Sequence, residues 1–168
     1  EVHGVATERP AYSLMYVDDD REFLASLERC IPDRLQRALP RFDLDFEFID
    51  DPLAALEMSE VIGKRLAVIV SDQVMPNMSG IDLLTRLKQM RPEVRCVLLT
   101  GQAGLDSAVL AINRSILDKY VFKPVDPVDF SETLRLLLSE YHLNSRLERW
   151  KDTLISQFDY IRSIASAR

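Results

Sequence analysis

Four places along the chain set a side chain capable of chemistry at the end of an apolar run. Asp18, Asp19 and Asp20 follow Leu14-Met15-Tyr16-Val17, and Asp72 comes one residue after Leu66 to Val70. Thr100 follows Val94 to Leu99, and Lys123 follows Tyr120-Val121-Phe122. Carboxylates brought together repel one another, and they stay ionised when a divalent cation sits among them. A donor set made only of oxygens, without His or Cys, suits Mg²⁺ or Mn²⁺ rather than zinc. A hydroxyl and an ammonium beside such a cation can hold the remaining oxygens of a phosphoryl group. Asp72 can then serve as the nucleophile that becomes an aspartyl phosphate. Phosphoryl transfer asks mainly for positioning and charge neutralisation, and these residue types supply both. Singly, each residue is ordinary: an acid after a strand caps a helix or lines a loop, a lysine is a solvated charge, a threonine a turn residue. The weight lies in their joint placement.

For these residues to meet, the apolar runs must be strands of one sheet that all end on the same edge. The runs at 14–17 and 66–70 are short and continuously apolar, as strands buried on both faces are; the run at 94–99 is interrupted only by Arg95, and 120–122 reads as a last short strand. Leu44, Phe46 and Phe48 alternate with charged residues, which predicts a strand near a sheet edge. Helical spacing separates the strands. Phe23, Leu24, Leu27 and Ile31 form one face, broken at Pro32, and Leu35, Ala38 and Leu39 form a second short piece before Pro40. Asp51-Pro52 and Asp126-Pro127 each place an N-cap before a proline at the first helical position. Leu53, Leu56 and Ile62 are the expected buried face of the helix after Asp51. Ser79 caps a helix with apolar Ile81, Leu84, Leu87 and Met90, and Leu105 to Ile112 reads as helical. Strands alternating with helices predict an α/β fold, a doubly wound five-stranded parallel sheet with right-handed crossovers. In such folds the strand C-termini form the ligand-binding edge.

A chain of 168 residues fits one domain with an appendage. Its net charge of −6 argues against a large basic nucleic-acid footprint. Cys30 and Cys96 form no CxxC pair, so neither a zinc site nor a disulfide framework is expected, and both read as reduced core residues. No apolar run approaches the roughly 20 residues of a membrane span, and residues 1–10 read as a flexible leader without signal-peptide features. The expectation is a cytoplasmic protein that touches neither nucleic acid nor membrane through this chain.

The motifs resemble the receiver domain of two-component response regulators. The resemblance is carried by Val17-Asp18-Asp19, by Ser71-Asp72-Gln73-Val74-Met75-Pro76 with Gly80, by Leu99-Thr100-Gly101 and by Tyr120-Val121-Phe122-Lys123-Pro124, over residues 12 to 140. It implies the flavodoxin-like strand order 2-1-3-4-5, which belongs to that family's fold and comes with the likeness. It also implies that Asp72 accepts a phosphoryl group from a histidine kinase or phosphotransfer protein. Asp19, Asp72 and the main-chain carbonyl of Val74 would bind Mg²⁺, with Asp18 acting through water. Thr100 and Lys123 would contact the phosphoryl oxygens. Thr100 and Tyr120 would form the switch, the ring turning inward as Thr100 moves. Pro76 and Gly80 would shape the loop after Asp72, and Lys123–Pro124 would be a cis peptide. With three consecutive acids, Asp18 and Asp19 are taken as the functional pair and Asp20 as the start of the helix, where an acid suits the dipole. Two departures stand out. The segment between Asp20 and the second strand is long and contains Pro32 and Pro40, which predicts an extra turn or short helix on the surface. Val74 is apolar where many members carry a polar side chain near the attacking water, which predicts slow loss of the phosphoryl group.

The last helix continues far past what a sheet needs. Leu136, Glu140, Leu143, Leu147, Trp150, Leu154, Gln157, Ile161 and Ile164 follow heptad spacing, and seven of these nine are apolar. Domain organisation therefore reads as a leader at 1–10, a receiver at 11–140 and an extended helix at 141–168. In that helix Leu143, Leu147, Trp150, Leu154 and Ile161 form the seam of a coiled-coil dimer or a linker to a C-terminal output domain. A helix folded back onto its own domain is the alternative. Ala111-Ile112-Asn113 with Lys123-Pro124-Val125-Asp126 and the long helix resembles receivers that precede cyclic-dinucleotide enzymes. No helix-turn-helix pattern follows the receiver. The leading function is a phosphorylation-dependent switch that turns over no external substrate. The alternatives are a Mg²⁺-dependent phosphatase with Asp18 as nucleophile and Asp20 as second acid, or a receiver-shaped scaffold that is never phosphorylated. His142 has no acid–base company in the sequence and is given no role.

Overall fold

The computed structural model describes residues 8–101 and 115–166. Strands β1 (Ala11–Val17), β2 (Asp43–Ile49), β3 (Leu66–Asp72), β4 (Arg95–Thr100) and β5 (Lys119–Phe122) form one parallel sheet in the order β2-β1-β3-β4-β5. The fold is the doubly wound, flavodoxin-like one. β3 is central, and all seven of its residues are buried, which is why its sequence carries no alternation. β2 lies at the edge and keeps acids at alternate positions, a pattern that discourages edge-to-edge pairing. The register sets Val17 beside both Ile49 and Ser71, Asp72 beside Leu99, and Thr100 beside Phe122. The C-terminal ends of all five strands are thereby level along one rim.

Five α-helices are described: α1 (Arg21–Cys30), α2 (Pro32–Ala38), α3 (Pro52–Ile62), α4 (Gly80–Met90) and α5 (Pro127–Ser166). The period-2 geometry of β1 divides the core. Leu14 and Tyr16 face a cluster with Leu24, Leu27, Leu35, Phe130 and Leu134, from α1, α2 and α5. Met15 and Val17 face the opposite cluster, with Ala55, Ile81, Leu84 and Leu87, from α3 and α4. Tyr16 stacks on Phe48 with ring centroids 4.8 Å apart, which ties β1 to the edge strand.

The expected surface helix between β1 and β2 exists but is not confined to the surface. Pro32 begins α2 rather than merely ending α1, and Ile31, Leu35 and Leu39 are fully or almost fully buried. The apolar spacing of this insertion closes the core where α5 crosses. Three other expectations are corrected. Leu53 is exposed, and α3 packs through Pro52, Ala55, Ser59 and Ile62 instead, whose small members allow close approach to the sheet. Met90 is exposed because it ends α4, one turn past the buried Leu87. Cys30 is exposed at the end of α1, whereas Cys96 is buried as expected. The readings of 1–7 as leader, of Leu105 to Ile112 as helix and of Ala111-Ile112-Asn113 lie outside the described residues. Among the described residues no helix is long and apolar enough to cross a membrane.

α5 is a single helix of 40 residues. Asp126 caps it by accepting from the N–H groups of Val128 and Asp129 at 2.9 and 3.0 Å. Phe130, Leu134, Leu137, Leu138 and Tyr141 are buried against the sheet. Tyr141 donates its hydroxyl to the Lys64 carbonyl at 2.7 Å, and His142 lies within hydrogen-bond reach of the Tyr12 hydroxyl. After Ser145 every residue to Ser166 is exposed, so this part does not fold back on its own domain. If α2 is part of the core, Leu35→Ala costs about 2–5 kcal/mol, while Cys30→Ser stays within about 0.5 kcal/mol. Urea unfolding of the two variants checks both.

Candidate functional site

Asp18, Asp19 and Asp72 converge at the rim: each offers a carboxylate oxygen within 4.8 Å of the others. Asp18 and Asp72 are buried and Asp19 is exposed. The ammonium of Lys123 lies between the two buried acids, 2.6 Å from Asp18 Oδ2 and 3.1 Å from Asp72 Oδ1. Sheet hydrogen bonding fixes where these groups stand. The Asp18 N–H donates to Ile49 at 3.2 Å, the Gln73 N–H to Leu99 at 3.1 Å and the Lys123 N–H to Thr100 at 2.9 Å. Thr100 is buried at the end of β4, one residue past the partner of Asp72, and its hydroxyl donates to the Gly101 carbonyl at 2.9 Å.

The three consecutive acids divide the work. Asp18 Oδ1 accepts the Asp20 N–H at 2.9 Å while its other oxygen accepts from Lys123. Asp20 turns away to cap α1, one oxygen accepting the N–H groups of Glu22 and Phe23, each at 3.0 Å. Asp19 remains exposed beside the cluster. The structure brings Asp18 and Asp19 together with Asp72 and sets Asp20 at the N-cap of α1.

The loop after β3 is drawn tight. Gly80 donates its N–H to the Gln73 carbonyl at 3.0 Å, and the Gln73 side chain accepts the Ile81 N–H at 3.1 Å. Asn77 takes a left-handed φ of 70° beside Pro76, a conformation asparagine tolerates better than most residues. A Cβ on Gly80 would lie 2.0 Å from the Asp72 carbonyl oxygen, so only glycine fits there. The Val74 side chain is 74% exposed. The Lys123–Pro124 peptide is cis.

Tyr120 stands 40% exposed on β5, and Leu143, Leu147, Trp150, Leu154 and Ile161 are exposed on α5 past the point where it leaves the domain. These six are not part of the carboxylate cluster. Two residues near the site were not singled out from the sequence. Gln73 anchors the loop, and nothing in its position announces a bond to residue 81. Phe23 read simply as part of the buried face of α1, yet the Lys123 ammonium lies 4.3 Å from its ring centroid. Its place three residues after the Asp20 cap was the only available signal.

Electrostatics follow from burial and crowding. Burial pushes the Asp18 carboxyl above the ordinary range. Its bonds from Lys123 and the Asp20 N–H pull it back without cancelling the effect, and the nearby Asp72 charge adds to the rise. Lys123 would be lowered by burial, but its bonds to Asp18 and Asp72 together outweigh that and raise it. Both partners of one ion pair are raised because Asp18 is also desolvated and faces a second carboxylate. The donor set is all oxygen, dense in negative charge and reachable at Asp19, which fits a hard divalent cation such as Mg²⁺.

Residues 14–135 match the family model described as the response regulator receiver domain. The photosynthetic apparatus regulatory protein RegA of Rhodobacter capsulatus is 31% identical over 122 residues, 73% of this chain and 60% of RegA. The DNA-binding transcriptional regulator NtrC of Proteus hauseri is 35% identical over 123 residues, 72% of this chain and 23% of NtrC. The chain thus spans less than two thirds of either curated relative. Among solved structures, the signal receiver domain of an HD domain-containing protein from Pseudomonas fluorescens Pf-5 superposes with a TM-score of 0.60 at 28% identity, covering 80% of this chain and 98% of that one.

A folded Asp18 that holds its proton more tightly than an unfolded one makes stability fall as pH rises through the window starting near the ordinary Asp value of about 4. In metal-free buffer Asp18→Asn flattens that decline, which urea midpoints across the window measure. Gly80→Ala costs about 1–3 kcal/mol through forced displacement of the Asp72 backbone, read by the same unfolding assay.

Proposed function

The chain belongs to the response regulator receiver domain family, and from this premise we propose that it is a phosphorylation-dependent switch with Asp72 as phosphoacceptor. The observation that carries the reading is the Lys123 ammonium held between Asp18 and Asp72, within a cluster whose three carboxylate oxygens lie within 4.8 Å. The donor is a phosphohistidine on a histidine kinase or phosphotransfer protein. A carboxylate oxygen of Asp72 attacks the phosphorus, the N–P bond breaks, and the imidazole departs with the bonding electrons and takes up a proton. The product is an acyl phosphate on Asp72. Asp19, Asp72 and the Val74 carbonyl would hold Mg²⁺, with Asp18 acting through water, and the ion would supply charge neutralisation for the phosphoryl oxygens. Lys123 and Thr100 take the other oxygens. Thr100 and Tyr120 relay the change, the exposed ring of Tyr120 having room to turn inward.

The phosphatase alternative is disfavoured by Asp20, whose carboxylate is committed to capping α1, and by Asp18, which is tied to Lys123. For the exposed part of α5 the favoured partner is a second copy of this chain. Some 25 residues beyond Tyr141 extend about 37 Å at 1.5 Å per residue. Their heptad stripe is continuous with Leu136, which is exposed on the domain itself. Trp150 at 64% exposure is the largest side chain in that seam. A link from this helix to a C-terminal output domain is consistent with the greater length of RegA and NtrC.

Acetyl phosphate with Mg²⁺ is expected to add one phosphoryl group, acid-stable and base-labile, seen by intact-mass spectrometry. Chelating the metal prevents the addition, Asp72→Asn abolishes it, and Lys123→Ala slows it by about 10²-fold. An adduct that persists in Asp72→Asn would place the nucleophile elsewhere. The exposed Val74 leads to slow hydrolysis, which a half-life of seconds would contradict. Separately, Leu147→Asp with Leu154→Asp is expected to convert dimer to monomer in light scattering without changing the phosphorylation rate.

A further inference from the structure

Lys123 has a third partner that the phosphoacceptor reading does not use. Its ammonium carries three N–H donors. Asp18 and Asp72 accept at 2.6 and 3.1 Å, and the same nitrogen lies over the Phe23 ring, 4.3 Å from the centroid. That distance is well inside the range of a cation–π attraction. The ring is firmly placed. Phe23 stands in the first turn of α1, its N–H donating to the capping Asp20 at 3.0 Å, and it packs against the core cluster of β1 and α5. The Lys123 side chain is 26% exposed, so its long flexible stem has a way out to solvent.

The partners of the ammonium differ in what a divalent cation does to them. Asp72 would engage the metal directly and Asp18 through water, and a carboxylate so engaged attracts an ammonium less strongly. The Phe23 ring neither titrates nor ligates a hard cation, so its attraction survives metal binding. Without such a contact, filling the metal site would loosen both anchors of Lys123 together, just before the phosphoryl oxygens arrive.

We infer that Phe23 is a positioning residue for phosphoryl transfer: its ring face holds the Lys123 ammonium at the rim when Asp18 and Asp72 engage the cation. The proposal rests on the reading of Asp72 as phosphoacceptor. A cation–π contact at a partly exposed site corresponds to about two- to tenfold in an equilibrium, and a rate effect of that size is expected.

The test replaces Phe23 in the full chain by 4-fluoro-, 3,5-difluoro- and 3,4,5-trifluorophenylalanine, which keep the ring's shape and progressively drain its face of electron density. With acetyl phosphate at fixed Mg²⁺, the phosphorylation rate is expected to fall stepwise, by about three- to tenfold over the series. Mg²⁺ affinity, measured by calorimetry without phosphodonor, is expected to stay constant or tighten, since a freed Lys123 competes less for the carboxylates. Phe23→Leu should match the end of the series and Phe23→Trp should recover most of the rate. A rate that stays flat across the fluorinated series would reduce Phe23 to a space-filling residue. A fall in rate accompanied by an equal loss of Mg²⁺ affinity would mean a disturbed pocket and also overturn the proposal. If the unsubstituted chain takes no phosphoryl group at all, the reading of Asp72 fails first and the role of Phe23 falls with it.

Discussion

Three carboxylates with oxygens inside 4.8 Å of one another repel, and two of them are buried where water screens little. A fold that gathers such charges must supply something positive. Here Lys123 does so from the far side of the sheet order, at the end of β5, with its ammonium between Asp18 and Asp72. Even so, burial leaves Asp18 with a raised proton affinity. Burial and the neighbouring Asp72 charge together outweigh what Lys123 supplies to Asp18. An arrangement optimised only for stability would not gather these acids, and the cost is concentrated at the rim.

Much of the surrounding structure serves to hold that rim together. Asp20 spends its carboxylate on the first turn of α1, so it does not add a fourth charge to the cluster. Gly80 and Gln73 pull the start of α4 so close to Asp72 that a side chain at position 80 would overlap its carbonyl. At the opposite end of the sheet, Asp118 accepts from Arg95 at 3.0 Å and from the Cys96 N–H at 2.8 Å, joining the start of β4 to the residue just before β5. α5 crosses the domain, is last gripped around Tyr141, and continues as an exposed helix. Among the described residues, the sheet and the α5 face packed on it share one core, and residues 123–126 run directly from the rim into α5.

The strands and the rim residues were legible in the sequence for a physical reason. Strands buried on both faces are uninterrupted apolar runs, and the polar residue ending each run marks a strand terminus. Asp72, Thr100 and Lys123 could therefore be assigned to one edge before any contact was known. Helix ends were legible at Asp20, Asp51, Ser79 and Asp126, because capping is a local interaction. The buried arc of each helix was less legible. Leu53 is apolar yet exposed while Ala55 and Ser59 are buried, because the packed face is chosen by how closely α3 approaches the sheet, and Met90 is exposed because it ends α4. Cys30 is exposed because its place at the end of α1 carries it past the core. α2 was legible as a helix but not as part of the core, since its burial depends on where α5 crosses.

By itself the sequence determined the fold class, the residues of the rim, the cap at Asp20 and the largely apolar stripe of the last helix. Each of these is encoded within a few neighbouring positions, through periodicity, capping or a polar stop after an apolar run. Only the tertiary structure decided that Lys123 bridges Asp18 and Asp72, that its ammonium lies over Phe23, and that Gly80 admits no side chain. These depend on distances between residues separated by up to 105 positions in the chain, and no local pattern encodes a distance across a sheet.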